Sequence, residues 1–126
     1  MNVVDSSGWM EYFGGGPNAD FFAPAIQRVT DLVVPAISLY EVFKKILVET
    51  GDKDTALQAI TEMKQGEVVD LSEEIALEAA TLSYEMKLPM ADSIILATAW
   101  RRKATLWSQD ADFENIPGVR YIKRKQ

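Results

Sequence analysis

Any catalysis by this sequence must come from carboxylates, hydroxyls, lysine, arginine or tyrosine. Among 126 residues there is no histidine and no cysteine. A Ser-His-Asp triad, a Cys-His dyad and a His/Cys zinc site are therefore excluded. Acids without imidazole or thiolate beside them suit hard cations such as Mg²⁺ or Mn²⁺. Four acids stand where short apolar stretches give way to polar ones: Asp5 after "NVV", Glu41 in "SLYEVF", Asp92 in "LPMADS" and Asp110 after "LWSQ", with Asp112 two residues on.

The elements around them alternate. "NVVD" reads as a short buried strand and "SSGWMEYF" as a helical start, interrupted by "GGGPN". "ADFFAPAIQRV" has apolar residues at helical spacing, and "DLVVP" is a second strand. "SLYEVFKKILVET" is a helix, with Ser38 and Glu41 spaced as a capping box and Gly51 as its stop. "KDTALQAITEMKQ" is a further amphipathic helix, and "EVVDL" a short strand or link. "SEEIALEAATLSYEMK" begins with a Ser72 cap and acids in its first turn. "PMADSIILATAWRRK" is the most apolar helix, "ATLWS" a strand, "QDADFENIPG" a loop and "VRYIK" a last strand. Short Val/Leu/Ile-rich strands between helices predict a parallel sheet covered on both faces, an α/β domain of three layers spanning 1–126.

In such sheets, sites form beyond the carboxyl ends of the strands. If the strands are parallel, all four acids reach one edge. Each also has a structural role open to it. Asp5 fits an N-cap, Glu41 the return half of a capping box with Ser38, Asp92 a helix-dipole partner, and "DADFENIPG" an Asx-rich loop. An EF-hand is a poor match to that loop, because Asn115 occupies its sixth position and Tyr121 its twelfth.

Asp5, Glu41, Asp92 and Asp110, in that order, resemble the acidic set of the PIN domain. The chain is similar to VapC-type toxin ribonucleases of toxin–antitoxin systems. The pieces that carry the resemblance are "VVDSSGW", "VVPAISLYEVFKKIL", "LPMADSIILATAW" and "LWSQDADFENIPGVRYI", from Asp5 to Ile122 nearly the whole chain. The resemblance implies a PIN-like α/β sandwich, a Mg²⁺ or Mn²⁺ site, endonucleolytic cleavage of RNA by a metal-activated water, a homodimer and a small antitoxin partner, while the absence of cysteine, and so of any disulfide framework, fits a cytoplasmic location. It implies catalytic roles for Asp5, Glu41, Asp92 and Asp110, with Asp5, Asp92 and Asp110 on the metal. Ser6, Ser108 and Asp112 stand at auxiliary positions. Ser93 departs from the alanine more frequent in the family.

An acidic pocket repels an RNA backbone, so basic groups must steer it. Net charge is −6, but residues 101–126 carry +4 and the first hundred −10. Arg101, Arg102, Lys103 and the basic cluster of residues 120–125 are the candidates, a solvated helix end and tail being the plainer reading. Trp9, Phe13, Phe21 and Phe22 read as core, or as an antitoxin groove or base-stacking surface.

Other classes fit less well. A dehalogenase-type loop wants a second Asp two residues after Asp5, where Ser7 stands, and a receiver domain wants acidic neighbours of Asp5 that are missing. A PIN fold acting only as a binding or regulatory module is the alternative to an enzyme, and the intact acidic set weighs against it. At 48% hydrophobic and 25% charged, the chain can build a core and is expected to be soluble. It has no apolar run near the ~18 residues of a membrane span, and no basic-then-apolar leader, so neither a membrane anchor nor a signal peptide is expected.

Overall fold

The structure is a computed structural model and describes residues 1–125. Among the described residues, five strands form one sheet: β1 Asn2–Val4, β2 Leu32–Pro35, β3 Glu67–Val69, β4 Thr105–Ser108 and β5 Val119–Tyr121. Their order is β3-β2-β1-β4-β5 and every pairing is parallel. Six α-helices connect them: α1 Ser6–Gly14, α2 Ala19–Gln27, α3 Ala36–Thr50, α4 Lys53–Met63, α5 Glu73–Met86 and α6 Met90–Arg101. The predicted three-layer α/β fold is the one observed.

The two layers of helix are written into the strands' alternation. Val4, Leu32, Val34 and Trp107 turn to one face and pack with Trp9, Phe22, Val42 and Met63 of α1 to α4. Val3, Val33 and Leu106 turn to the other and pack with Ile95, Leu96 and Ala99 of α6. Ile75 and Ala79 of α5 close onto Ile94 and Ala97. Trp9 and Phe22 are thus core, as the plainer reading had it, while Phe13 and Phe21 are half-buried at its margin.

Gly8 sits where α1 crosses α2. A Cβ there would lie 2.6 Å from both Phe22 Cε1 and Val4 Cγ1, so only hydrogen fits. α1 ends at Gly15, whose φ of 63° needs glycine's freedom.

The capping box predicted for Ser38 and Glu41 does not form. α3 starts two residues earlier, at Ala36, with Pro35 as its N-cap. Ser38 is therefore inside the first turn, buried, and its Oγ has no partner among the described residues. Ser72 does cap α5, its Oγ accepting from the Ile75 amide at 3.2 Å. Among the described residues, no helix is long and apolar enough to cross a membrane.

Candidate metal centre

The chain order runs outward from β1 to β3 on one side and then returns to β4 and β5 on the other. The switch lies between β1 and β4, where connections leave in opposite directions and a crevice opens at the strand ends. Asp5 follows β1 and Asp110 follows β4, so the two flank it. Asp92 enters from the first turn of α6, and Glu41 from the second turn of α3. All four line one cleft of about 470 Å³, together with Ser6, Ser7, Tyr40, Lys44, Lys45 and Arg124.

Asp5 is 2% exposed and fully engaged. Its Oδ1 accepts from the Gly8 amide at 2.9 Å and from Ser7 Oγ at 2.8 Å, which caps α1. Its Oδ2 accepts from Ser108 Oγ at 2.6 Å. Burial outweighs these hydrogen bonds and pushes its pKa up to about 6, with the charge of Asp110 adding in the same direction.

Asp92 is more perturbed. Desolvation, the charge of Asp110, a hydrogen bond with Asp112 that favours the protonated form, and the charges of Asp5 and Asp112 push it up to about 8. The carboxylates of Asp92, Asp110 and Asp112 each place an oxygen within 4.8 Å of the others'. The resemblance gives Asp112 only an auxiliary position, but it stands with Asp92 and Asp110 in this group of three. The cause is local. Asp110 Oδ1 accepts from the Asp112 amide at 2.9 Å and starts a 3₁₀ turn, Ala111–Phe113. That curl keeps both acids close, where an extended strand would point successive alternate residues along a straight line.

Two hydroxyls hold the acids in place. Ser6 Oγ donates to Glu41 Oε1 at 2.5 Å, across 35 residues of sequence. Ser108 Oγ both donates to Asp5 and accepts from the Asp110 amide at 2.9 Å, tying the ends of β1 and β4 together.

The cations expected to steer a substrate are elsewhere. α6 carries Asp92 in its first turn and Arg101 at its last residue, ~14 Å further along the axis. Arg101 pairs with Glu78 at 2.5 Å, and Arg102 grips Glu67, at the start of β3, with both terminal nitrogens at 2.7 and 3.0 Å. Lys103 follows in the turn beyond them. None of the three lines the acidic cleft. Arg120 lies 4.4 Å over the Trp107 ring. The cations that do line the cleft are Lys44, Lys45 and Arg124. Of the basic cluster of residues 120–125, only Arg124 does so. Lys44 and Lys45 were missed, although a signal existed: Tyr40, Glu41, Lys44, Lys45 and Val48 share one stripe at i, i+4 and i+8 spacing.

A sequence profile of the PIN domain matches residues 3–119. No curated protein matches the sequence. Solved structures match over most of their length. A toxin–antitoxin complex from Klebsiella pneumoniae contains a chain 25% identical, with TM-score 0.78, covering 94% of this chain and 95% of that one. VapC20 from Mycobacterium tuberculosis, described as a toxin cleaving the sarcin-ricin loop, is 15% identical with TM-score 0.73, over 90% and 92% of the two chains. VapBC2 from Rickettsia felis, solved with a DNA fragment from its promoter, gives 15% identity and TM-score 0.72 over 97% of each chain. At 15% identity the last two are similar in fold alone.

Proposed function

We propose, from the premise that the chain belongs to the PIN-domain family, that residues 1–126 form one unit, a Mg²⁺- or Mn²⁺-dependent endoribonuclease that serves as the toxin of a toxin–antitoxin pair. The observation that carries this is the meeting of Asp5, Glu41, Asp92 and Asp110 in a single cleft, where crowding and burial hold Asp92 protonated to about pH 8. Carboxylates so placed are unfavourable until a positive charge joins them. The donor set is all oxygen, which fits a hard divalent cation, and the spacing among Asp92, Asp110 and Asp112 is short enough to share one.

Asp5, Asp92 and Asp110 would hold the cation, with Asp112 beside them. Such a cation, when bound, supplies an acidified water and neutralises charge on a phosphodiester. The chain's own groups do the rest. Ser7, Gly8 and Ser108 fix the Asp5 carboxylate so that neither oxygen can swing away. Ser6 fixes Glu41, which orients a water for in-line attack on phosphorus. Lys44 and Lys45 offset the acidic field and draw the RNA backbone into the cleft.

A small antitoxin protein is the proposed inhibitor, a reading supported by the toxin–antitoxin complex of the Klebsiella structure. A second copy of the chain is the proposed cover for Leu71, Tyr84 and Met90, which are 48%, 87% and 72% exposed around a groove between α5 and α6. The proposed site of action is the cytoplasm. The decisive experiment incubates the purified protein with single-stranded RNA. Cleavage is expected with Mg²⁺ or Mn²⁺, none with chelator, and none from Asp92→Asn. Metal-independent cleavage, or an unaffected Asp92→Asn, would refute the proposal, and sedimentation showing only monomer at micromolar concentration would refute the dimer.

A further inference from the structure

We infer that Arg124 binds a phosphate of the RNA within the acidic cleft, and that buried Asn18 is the positioning residue that delivers it there. This rests on the nuclease reading above. The segment after β5 would ordinarily be a solvated basic tail. Its main chain is instead tied down at two successive residues. The Ile122 amide donates to the Ser108 carbonyl at 3.0 Å, continuing the β4–β5 ladder. The Lys123 carbonyl then accepts from Asn18 Nδ2 at 3.1 Å. Arg124 is the next residue, and it lines the cleft.

Asn18 lies 105 residues from Lys123 and is 2% exposed. The other hydrogen of its Nδ2 goes to Gln109 Oε1 at 3.0 Å, and Gln109, also 2% exposed, donates to the Ser7 carbonyl at 3.4 Å. One buried polar chain thus joins the loop before α2, the residue between Ser108 and Asp110, and the main chain next to Arg124. The arrangement leaves Asn18 Oδ1 without a partner among the described residues. An unpaired buried oxygen costs free energy that an apolar residue would avoid. What asparagine gains for that cost is the two donors that clamp Gln109 and the tail.

Arg124 itself is in no ion pair among the described residues, whereas Arg101 and Arg102 each grip a glutamate. A guanidinium on a residue that shares a cleft with several carboxylates, yet pairs with none among the described residues, keeps its planar fork for another partner, and that fork matches two phosphate oxygens. It also places fixed positive charge where the field of the acids would otherwise repel a polyanion.

The test uses the full chain and a short single-stranded RNA. KM and kcat are measured with Mg²⁺, and RNA affinity is measured against salt in the Asp92→Asn background. Arg124→Gln is expected to raise KM about tenfold or more and to lower the salt slope by about 0.7, one phosphate contact on a single strand. Arg124→Lys should recover part of the affinity, and Lys64→Gln, the same charge change at the exposed end of α4, should alter neither quantity. Asn18→Ala should reproduce the KM effect while its melting curve stays cooperative, and adding it to Arg124→Gln should change KM no further. If the wild type cleaves RNA and Arg124→Gln matches it in KM and salt slope, the Arg124 assignment is overturned while the nuclease reading stands. Additive effects of Asn18→Ala and Arg124→Gln would overturn the positioning role. A wild type that cleaves no RNA with either metal refutes the nuclease reading, and this inference falls with it.

Discussion

Asp5→Asn should make the metal-free protein more stable at pH 8 and leave it little changed at pH 4. In the folded chain the Asp5 pKa rises from 3.8 to about 6. Its stabilising contribution is therefore complete below the unfolded value and is lost as pH rises through 6. That shift corresponds to about 3 kcal/mol at pH 8, falling to less than about 1 kcal/mol at pH 4. Asparagine keeps the Oδ1 acceptor for Gly8 and Ser7, so the cap survives. It replaces Oδ2 by an amide nitrogen, and Ser108 Oγ loses the acceptor it now reaches at 2.6 Å, a loss of about 1 kcal/mol. The net expectation is a gain of about 2 kcal/mol at pH 8, or about 8 °C in Tm for a chain of this size, and little change or a slight loss at pH 4 by the same linkage. Thermal melts in chelator at the two pH values measure this directly. Added Mg²⁺ or Mn²⁺ should then raise the wild-type Tm and leave Asp5→Asn nearly unmoved. If Asp5→Asn is equally destabilised at pH 4 and pH 8, burial does not penalise the carboxylate and the reasoning fails.

The remaining predictions concern the other residues of the cleft. Asp92, held up to about 8, must lose its proton to bind metal. Mn²⁺ affinity by calorimetry should therefore climb from pH 6 to pH 8 and level off above it, with proton release on binding, and equal affinity at pH 6 and pH 9 would refute this. The sign for the metal-free protein is the reverse, stability falling as pH rises through 8. Ser6→Ala frees Glu41, and kcat should fall about tenfold while stability changes by no more than about 1 kcal/mol, the net worth of one hydrogen bond. Gly8→Ala forces a methyl to within 2.6 Å of Phe22 and Val4, and chemical denaturation should show a loss of about 2–3 kcal/mol.

Much of this site was legible because parallel topology carries a rule of its own. Once short apolar strands alternate with helices, the residues after β1 and β4 must meet at one edge, and Asp5 and Asp110 do. What was not legible was whatever needed a helix's start or direction. The Ser38-x-x-Glu41 spacing matches a capping box, but Pro35, at φ −61° and ψ 136°, already stands at the N-cap and Ala36 opens the helix. Ser38 is carried into the core and Glu41 is left to find Ser6. Arg101, Arg102 and Lys103 were read from charge alone, and charge does not say which way α6 runs. Its first turn faces the cleft and its last turn faces Glu78 and Glu67.

Asp5 shows why alternatives posed on a sequence need not exclude each other. Helix cap and site carboxylate were weighed as rivals, yet the two oxygens divide the work. Oδ1 accepts from Ser7 and Gly8 and starts α1, while Oδ2 accepts from Ser108 at the end of β4. The capping bonds fix the side chain's rotamer, and the fixed rotamer sets the other oxygen at the switch point of the sheet. Gly8 belongs to the same device, since its amide is the donor and its missing side chain is what lets α1 lie against Val4 and Phe22. A carboxylate held in that way stays charged or protonated according to its surroundings, not according to its own freedom to turn towards water. That is how a cap residue comes to carry a pKa near 6, and why the same aspartate can begin a helix and stand at the proposed metal site.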